Sequence, residues 1–396
     1  MRQKNGRLIV LVAAVAVAAV ALGGVFAYRQ GPRGNDAAAA PLSAPTTSTP
    51  SQTPTTTQTP PVTPSSTPSR TPSAPKTTST GPTKIKLNLA KLPKGRAPQI
   101  PYLVGREVRG GAGDPTKIPG TDNIQAIARL GSRVLAVVSK GNGTELVKID
   151  YGAVERVPDV TELVSTDDQT AVAYAATRTT EGGGALKGGI VYAETTESVK
   201  SLKLPNSWDV APLAYRNGKV YFRASATESG SNWKLYEWTP GAAKATEITT
   251  VKSPTALSDD GRVAASIGLL NDSGTCSDVT VVATGKKLWR TCENQLSAFT
   301  PDGATAIGRP SYLDGYCDTT VSALDAVTGR LIREWSGCFH QSKAEDDQHF
   351  LVIADASDGG GEDGYGRRAI IRCDISTGAC ELTTPLSGTS SLRIGD

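Results

Sequence analysis

Turn signals recur along this 396-residue chain at a nearly constant interval, and that interval restricts the fold more than any other feature. STDDQ (165–169), YRNG (215–218), SDDG (258–261), TPDG (300–303) and EDDQ (345–348) end at 169, 218, 261, 303 and 348, in steps of 49, 43, 42 and 45. A weaker match, LGSR, lies at 130–133. Around TPDG the order is LSAF, TPDG, ATAIGR, TTVSALD, AVTG and RLIREW, so β-branched strand stretches alternate with Gly, Asp and Pro turns. No part of 101–396 keeps a helical period over three turns.

Repeats of about 40–45 residues holding four short strands are the signature of β-propeller blades. The sequence therefore predicts an all-β fold, a β-propeller of four-stranded blades over residues 101–396. Six repeats fit 123–388, while YLVGREVRG and TKIP (102–119) read as outer strands and SLRIG (391–395) as an inner one. Closing the ring with strands from both ends leaves few open sheet edges, so seven blades are favoured over six. The TPDG and SDDG turns, with the DxxTG turns DAVTG (325–329) and DISTG (374–378), resemble those of WD40-like and TolB-like propellers. With an uncharged apolar run at 8–27 and a Thr/Pro/Ser-rich stretch at 34–83 ahead of it, the whole arrangement resembles exported, membrane-anchored actinobacterial surface propellers of unassigned function. These are turn motifs, so the resemblance implies a fold and no catalytic residue. The Gly-His and Trp-Asp pairs of true WD40 repeats are absent.

Six cysteines, Cys276, Cys292, Cys317, Cys338, Cys373 and Cys380, fall only in the last three repeats. Facing residues of an antiparallel hairpin have a constant index sum. DISTGA (374–379) predicts 753, the sum for Cys373 and Cys380; DAVTGR (325–330) predicts 655, the sum for Cys317 and Cys338. VVATGK (281–286) predicts 567 against 568 for Cys276 and Cys292, the offset of one bulge. Three disulfides within blades are expected, each worth roughly 2–3.5 kcal/mol in the chain-entropy picture. Zinc lacks the short C-x₂₋₄-C spacing.

Residues 1–7 (MRQKNGR) precede an uncharged apolar run at 8–27, long enough for a single transmembrane helix with its basic end in the cytoplasm. A cleaved signal peptide ending near Ala27 is the competing reading. Residues 28–100 read as a Thr/Pro/Ser-rich extended stalk whose basic end, KIKLNLAKLPKGR (84–96), is expected to be solvated. The bulk of the chain is then extracytoplasmic, held at the cell membrane. Residues 1–100 hold 12 Lys and Arg against one acid, Asp36, so the remainder holds 30 basic and 37 acidic residues. An acidic domain argues against nucleic acid as the partner.

Placed on the repeat, Trp208, Trp233, Tyr312, Tyr316, His340 and Tyr365 fall in loops at one rim, with Asp314, Glu362 and Asp363 beside them. Aromatic faces flanked by carboxylates suit sugars or peptide side chains. Trp238, Trp289 and Trp335 fall on strands, and WRTC and WSGC share a spacing that suggests a repeated packing role. DASDGGGEDGYG (355–366) fails the EF-hand pattern, and no G-x-S-x-G, HExxH or P-loop occurs. No cofactor or metal is expected. The expectation is a binding platform for an envelope polymer or a partner protein. The alternative is a glycan-acting hydrolase or lyase using acidic loop residues.

Overall fold

The computed structural model describes residues 83–396 except 229–231, 272–273, 313–314, 357–365 and 389–390. The apolar run at 8–27 and the Thr/Pro/Ser-rich stretch up to 82 lie outside the described residues. Among the described residues no helix is long and apolar enough to cross a membrane.

The strands form antiparallel meanders. The first sheet holds Leu392–Ile394, Tyr102–Val104, Glu107–Arg109 and Thr116–Lys117. The second holds Ile124–Leu130, Arg133–Lys140, Gly143–Asp150 and Ala153–Pro158. The third holds Val160–Ser165, Ala171–Thr179, Ala185–Thr195 and Val199–Leu204. The fourth holds Trp208–Arg216, Lys219–Ser225, Lys234–Trp238 and Thr246–Lys252. The fifth holds Pro254–Leu257, Val263–Asn271, Gly274–Val281 and Lys287–Thr291. An eight-stranded sheet follows, with Asn294–Phe299, Thr305–Pro310, Asp318–Asp325, Leu331–Ala344, His349–Asp355, Arg368–Asp374 and Cys380–Leu382 in order. Its eighth strand, Lys84–Lys86, lies parallel to Leu331–Ala344. Leu331–Ala344 serves two meanders: residues 331–339 pair back to Asp318–Asp325, and 339–344 pair forward to His349–Asp355.

Contacts between first strands run around a closed circle. Ile124–Leu130 touches Val160–Ser165, which touches Trp208–Arg216, then Pro254–Leu257, Asn294–Phe299, the end of Leu331–Ala344, Leu392–Ile394 and again Ile124–Leu130. This is a β-propeller, closed by pairing Leu392–Ile394 with Tyr102–Val104. The hydrophobic clusters sit between neighbouring sheets, as when Ala173, Ala175 and Val191 of the third meet Val210, Phe222 and Trp238 of the fourth. Meander geometry sends the turns between first and second and between third and fourth strands to one end, the turn end. The remaining loops and the links between sheets leave from the other, the loop end.

Local chemistry explains why the turns repeat. Thr300 Oγ1 donates to Asp302 Oδ1 at 2.7 Å, which also accepts the Ala304 N–H at 2.9 Å, while Gly303 takes φ +69°. Ser258 and Asp260 repeat the pattern. In both DxxTG turns the Asp carboxylate accepts the backbone N–H three residues on, from Thr328 at 2.8 Å and Thr377 at 2.7 Å. The turn glycines Gly329 and Gly378 have φ +73° and +81°, favourable for glycine alone. Each turn also meets a tryptophan of the preceding meander. Trp289 Nε1 donates to Ala326 O at 2.9 Å and Trp335 Nε1 to Gly378 O at 3.0 Å. A Cβ on Gly329 would stand 2.6 Å from the Trp289 ring. This is the shared role of WRTC and WSGC.

All three expected disulfides form, and no cysteine is free. Cys373 faces Cys380 directly. The Cys276–Cys292 hairpin shifts register between Val279 and Thr280, the bulge its index sum required. The Cys317–Cys338 hairpin departs from the constant sum, with shifts between Ala323 and Leu324 and between Asp318 and Thr320, yet its Cα atoms stay 5.4 Å apart.

The basic segment 84–96 is not a free, solvated stalk end: it packs along the body, which begins well before residue 101. Glu334 N donates to Thr83 O at 2.8 Å, Leu87 N to Ser336 O at 3.0 Å, and Lys84 pairs with Glu334 at 3.2 Å. Ile85, Leu87, Leu89 and Leu92 pack on the cluster around Trp335 and Phe350. The chain then bonds Leu382 through Pro93 and Gly95 and passes Arg372, which donates to Arg96 O and Ala97 O. Charge composition hid this strap, because its lysines face outward while the interleaved aliphatic residues face the body.

Candidate functional site

The loop-end aromatics fall into separate groups. Trp233 Nε1 donates to Asp209 Oδ2 at 2.8 Å, and the Arg223 guanidinium covers the ring at 4.4 Å. Trp208 is half-buried beside Asp209. Trp233 is thus held by its own sheet, with Arg223 over its ring. Trp233 still borders a polar groove of about 640 Å³ between the fourth and fifth sheets, with Lys234, Glu247, Asp278 and Lys287 along its sides.

Tyr316, His340 and Tyr312 are arranged differently. Tyr316 meets His340 edge-on at 5.1 Å, and Arg368 bonds the Tyr316 hydroxyl and lies over its ring. Tyr312 stands beside the Asn271–Gly274 hairpin of the fifth sheet: Thr275 N donates to Ser311 O at 3.0 Å, and a Cβ on Gly274 would reach Tyr312 Cβ at 3.3 Å. Leu270 pairs across that hairpin with Thr275. Leu270, Tyr312 and Tyr316 are 71 %, 54 % and 44 % exposed, and all three belong to loop-end segments of the fifth and eight-stranded sheets; together they are termed the loop-end row. Sequence reading found the tyrosines and passed over Leu270, whose alternation reads as an ordinary strand. Tyr365, Asp314, Glu362 and Asp363 lie outside the described residues. His340 and Asp355 approach Cys338, but its sulfur is committed to Cys317, so a thiolate metal ligand is not on offer.

At the turn end the axis is lined by charge. In STDDQ and SDDG the second acid, Asp168 or Asp260, is consumed by the turn. The Thr166 and Thr170 hydroxyls hold the Asp168 carboxyl below its ordinary value. The preceding position points to the axis, and there Asp167, Arg216 and Asp259 meet. Arg216 Nη2 bonds Asp167 at 3.0 Å and Asp259 at 2.8 Å. Both carboxylate oxygens bond one nitrogen, so they lie within about 6 Å of each other. Burial lifts the Asp259 carboxyl to about 7; Arg216 opposes that rise and the Asp167 carboxylate, hydrogen-bonded to it, adds to it. Lys343 contacts Asp396 across the same opening. Burial and Arg216 pull its ammonium down to about 7, against the attraction of the carboxylates around it. Two adjoining cavities of about 270 Å³ each share Asp167, Arg216, Pro301, Lys343 and Asp396. The sequence had marked STDDQ and SDDG as turn signals only; their one-position offset was the available clue to this ring.

No protein family matches the chain, and no curated protein matches it. Among solved structures it is similar to an uncharacterized protein of Listeria monocytogenes EGD-e, at 11 % identity and TM-score 0.46, over 69 % of this chain and 87 % of that one. It is similar to TolB from Acinetobacter baumannii at 16 % identity and TM-score 0.38, over 62 % and 68 %. It is also similar to the β-propeller domain of the Trilobed protease from Pyrococcus furiosus at 12 % identity and TM-score 0.45, over 67 % and 86 %.

Proposed function

We propose that this chain is a seven-bladed propeller, tethered to the cell membrane and exposed outside the cytoplasm, that docks a partner protein on its loop end. Counting the two meanders that share Leu331–Ala344 separately supports seven blades. The observation that carries the docking reading is the exposed row Leu270–Tyr312–Tyr316 with Arg368 against it. Tyr and Arg dominate interface hot spots, and apolar patches left bare on a monomer mark contact surfaces. Direction agrees with this. Lys84–Lys86 runs parallel to Glu334–Ser336, from the turn end towards the loop end. Residue 83 therefore enters the body at the turn end, opposite the row.

A glycan-acting hydrolase or lyase would draw on the Asp167–Asp259 pair, but the two carboxyls are hydrogen-bonded to each other, closer than the roughly 5 Å or more that carboxylate chemistry on a sugar needs. Arg216 bonds both carboxyls as well, so neither is free to act on a glycosidic bond and docking is preferred. Capture with the full chain from detergent-solubilised and cell-wall fractions tests both, read by proteomics and sugar analysis. A protein lost on combining Leu270→Ser, Tyr312→Ala and Tyr316→Ala supports docking. Shortened glycan that depends on Asp259 overturns it.

A further inference from the structure

The three disulfides lie in the sector that holds the incoming chain. Cys338 is on Leu331–Ala344, the strand to which Lys84–Lys86 adds. Cys380 opens Cys380–Leu382, the strand bonded by Pro93 and Gly95. Cys292 follows Lys287–Thr291, whose Trp289 reaches the turn at 325–329; Trp335 reaches the turn at 374–378, and a Cβ on Gly378 would strike Ile85 of the strap. One line of contact thus runs from the fifth sheet through both halves of the eight-stranded sheet into the strap, and a disulfide ties each strand along it. The same bridges flank the loop-end row. Cys276 pairs across from Leu269, Cys317 follows Tyr316, and Cys338 is two residues before His340. The second, third and fourth sheets contain no cysteine.

We propose that these bridges make the fifth sheet and both halves of the eight-stranded sheet one cooperative unit linking the Leu270–Tyr312–Tyr316 row to the strap at Lys84–Gly95. The row's part in this rests on the docking reading; the strap's part does not. An edge strand pulled from its end peels one hydrogen bond at a time. Lys84–Lys86 is a three-residue strand, so its hold depends on Leu331–Ala344 staying seated. A covalent tie from that strand to its inner neighbour stops the peeling at Cys338.

Hydrogen exchange read by mass spectrometry on the full chain tests this. Removing Cys317–Cys338 by paired Ser substitutions should speed exchange at Lys84–Leu87 at least tenfold. Removing Cys373–Cys380 should do the same at Lys94–Arg96, and each removal should speed both strap segments and Thr275–Val279 together, as one unit requires. Val134–Val138 and Val172–Ala176 should not change in either variant. Mild reduction of the unsubstituted chain reads the same peptides if a variant fails to fold. Unchanged strap protection, or equal acceleration in every sheet, overturns the unit. Partner capture by the unsubstituted chain separates the two claims: a strap loosened in the variants with no partner captured by the unsubstituted chain leaves the strap clamp standing and removes the docking reading.

Discussion

Asp259→Asn puts the charged ring at the turn end to a quantitative test. The wild-type side chain is 19 % exposed and bonds Arg216, which also bonds Asp167. Two carboxylates share one guanidinium, and burial keeps the inner one protonated up to about 7, against an ordinary value of 3.8. The sign follows from proton counting. Between these values the folded chain binds more protons at Asp259 than the unfolded chain, so this group's contribution to stability falls as pH rises through that window and is fully lost above about 7. Holding a carboxylate ionised there costs at most about 4 kcal/mol, and sharing with Arg216 reduces that. Asn keeps the shape and never ionises. Urea unfolding at pH 3.5 should find the two proteins within about 0.5 kcal/mol, and at pH 8 the variant should be about 1–3 kcal/mol more stable, with about a third of that difference already present at pH 5. Comparing variant with wild type cancels the carboxylates whose values are lowered, such as Asp168 and Asp278. If the Asp259→Asn variant is the less stable protein at pH 8 by more than about 1 kcal/mol, the Arg216 pair outweighs burial and the reasoning fails.

Gly329→Ala must place a methyl 2.6 Å from Trp289 at φ +73° and should cost about 2–4 kcal/mol; Gly105→Ala, at φ +63° with nothing within 4 Å, should cost about 1 kcal/mol. Thermal melting of both separates contact from backbone strain. The buried pair Arg372–Glu345 should lose about 3–5 kcal/mol in Arg372→Met and recover part of it when Glu345→Leu is added, read by chemical denaturation. Tyr312→Ala with Tyr316→Ala should leave the melting temperature nearly unchanged while removing partner capture, since both rings are exposed. A matched loss of stability would place them in the fold instead.

The parts of this fold that sequence made legible are those set by local chemistry. A TPDG turn is specified by a hydroxyl, a carboxylate and a glycine within four residues, so its period could be counted directly. Hairpin register follows from the turn, which is why Cys373 and Cys380 could be paired by addition and why Cys276–Cys292 announced its own bulge. What stayed hidden depends on contacts between distant repeats. The strap reads as a basic linker until Glu334 and the Trp335 cluster are beside it. The axial ring was hidden differently, inside motifs already given a meaning. Asp167 and Asp259 look like turn residues because their neighbours Asp168 and Asp260 are. Four-residue motifs that repeat around a ring give each turn position a fixed direction, and the position the turn does not use is the one free to face the axis. On that logic Arg216, at the turn position matching Asp167 and Asp259, is the residue that turns two repelling carboxylates into a closed, partly neutralised cluster. Its replacement by Asp should open the turn end by repulsion, and Asp259 should then titrate above its present value of about 7.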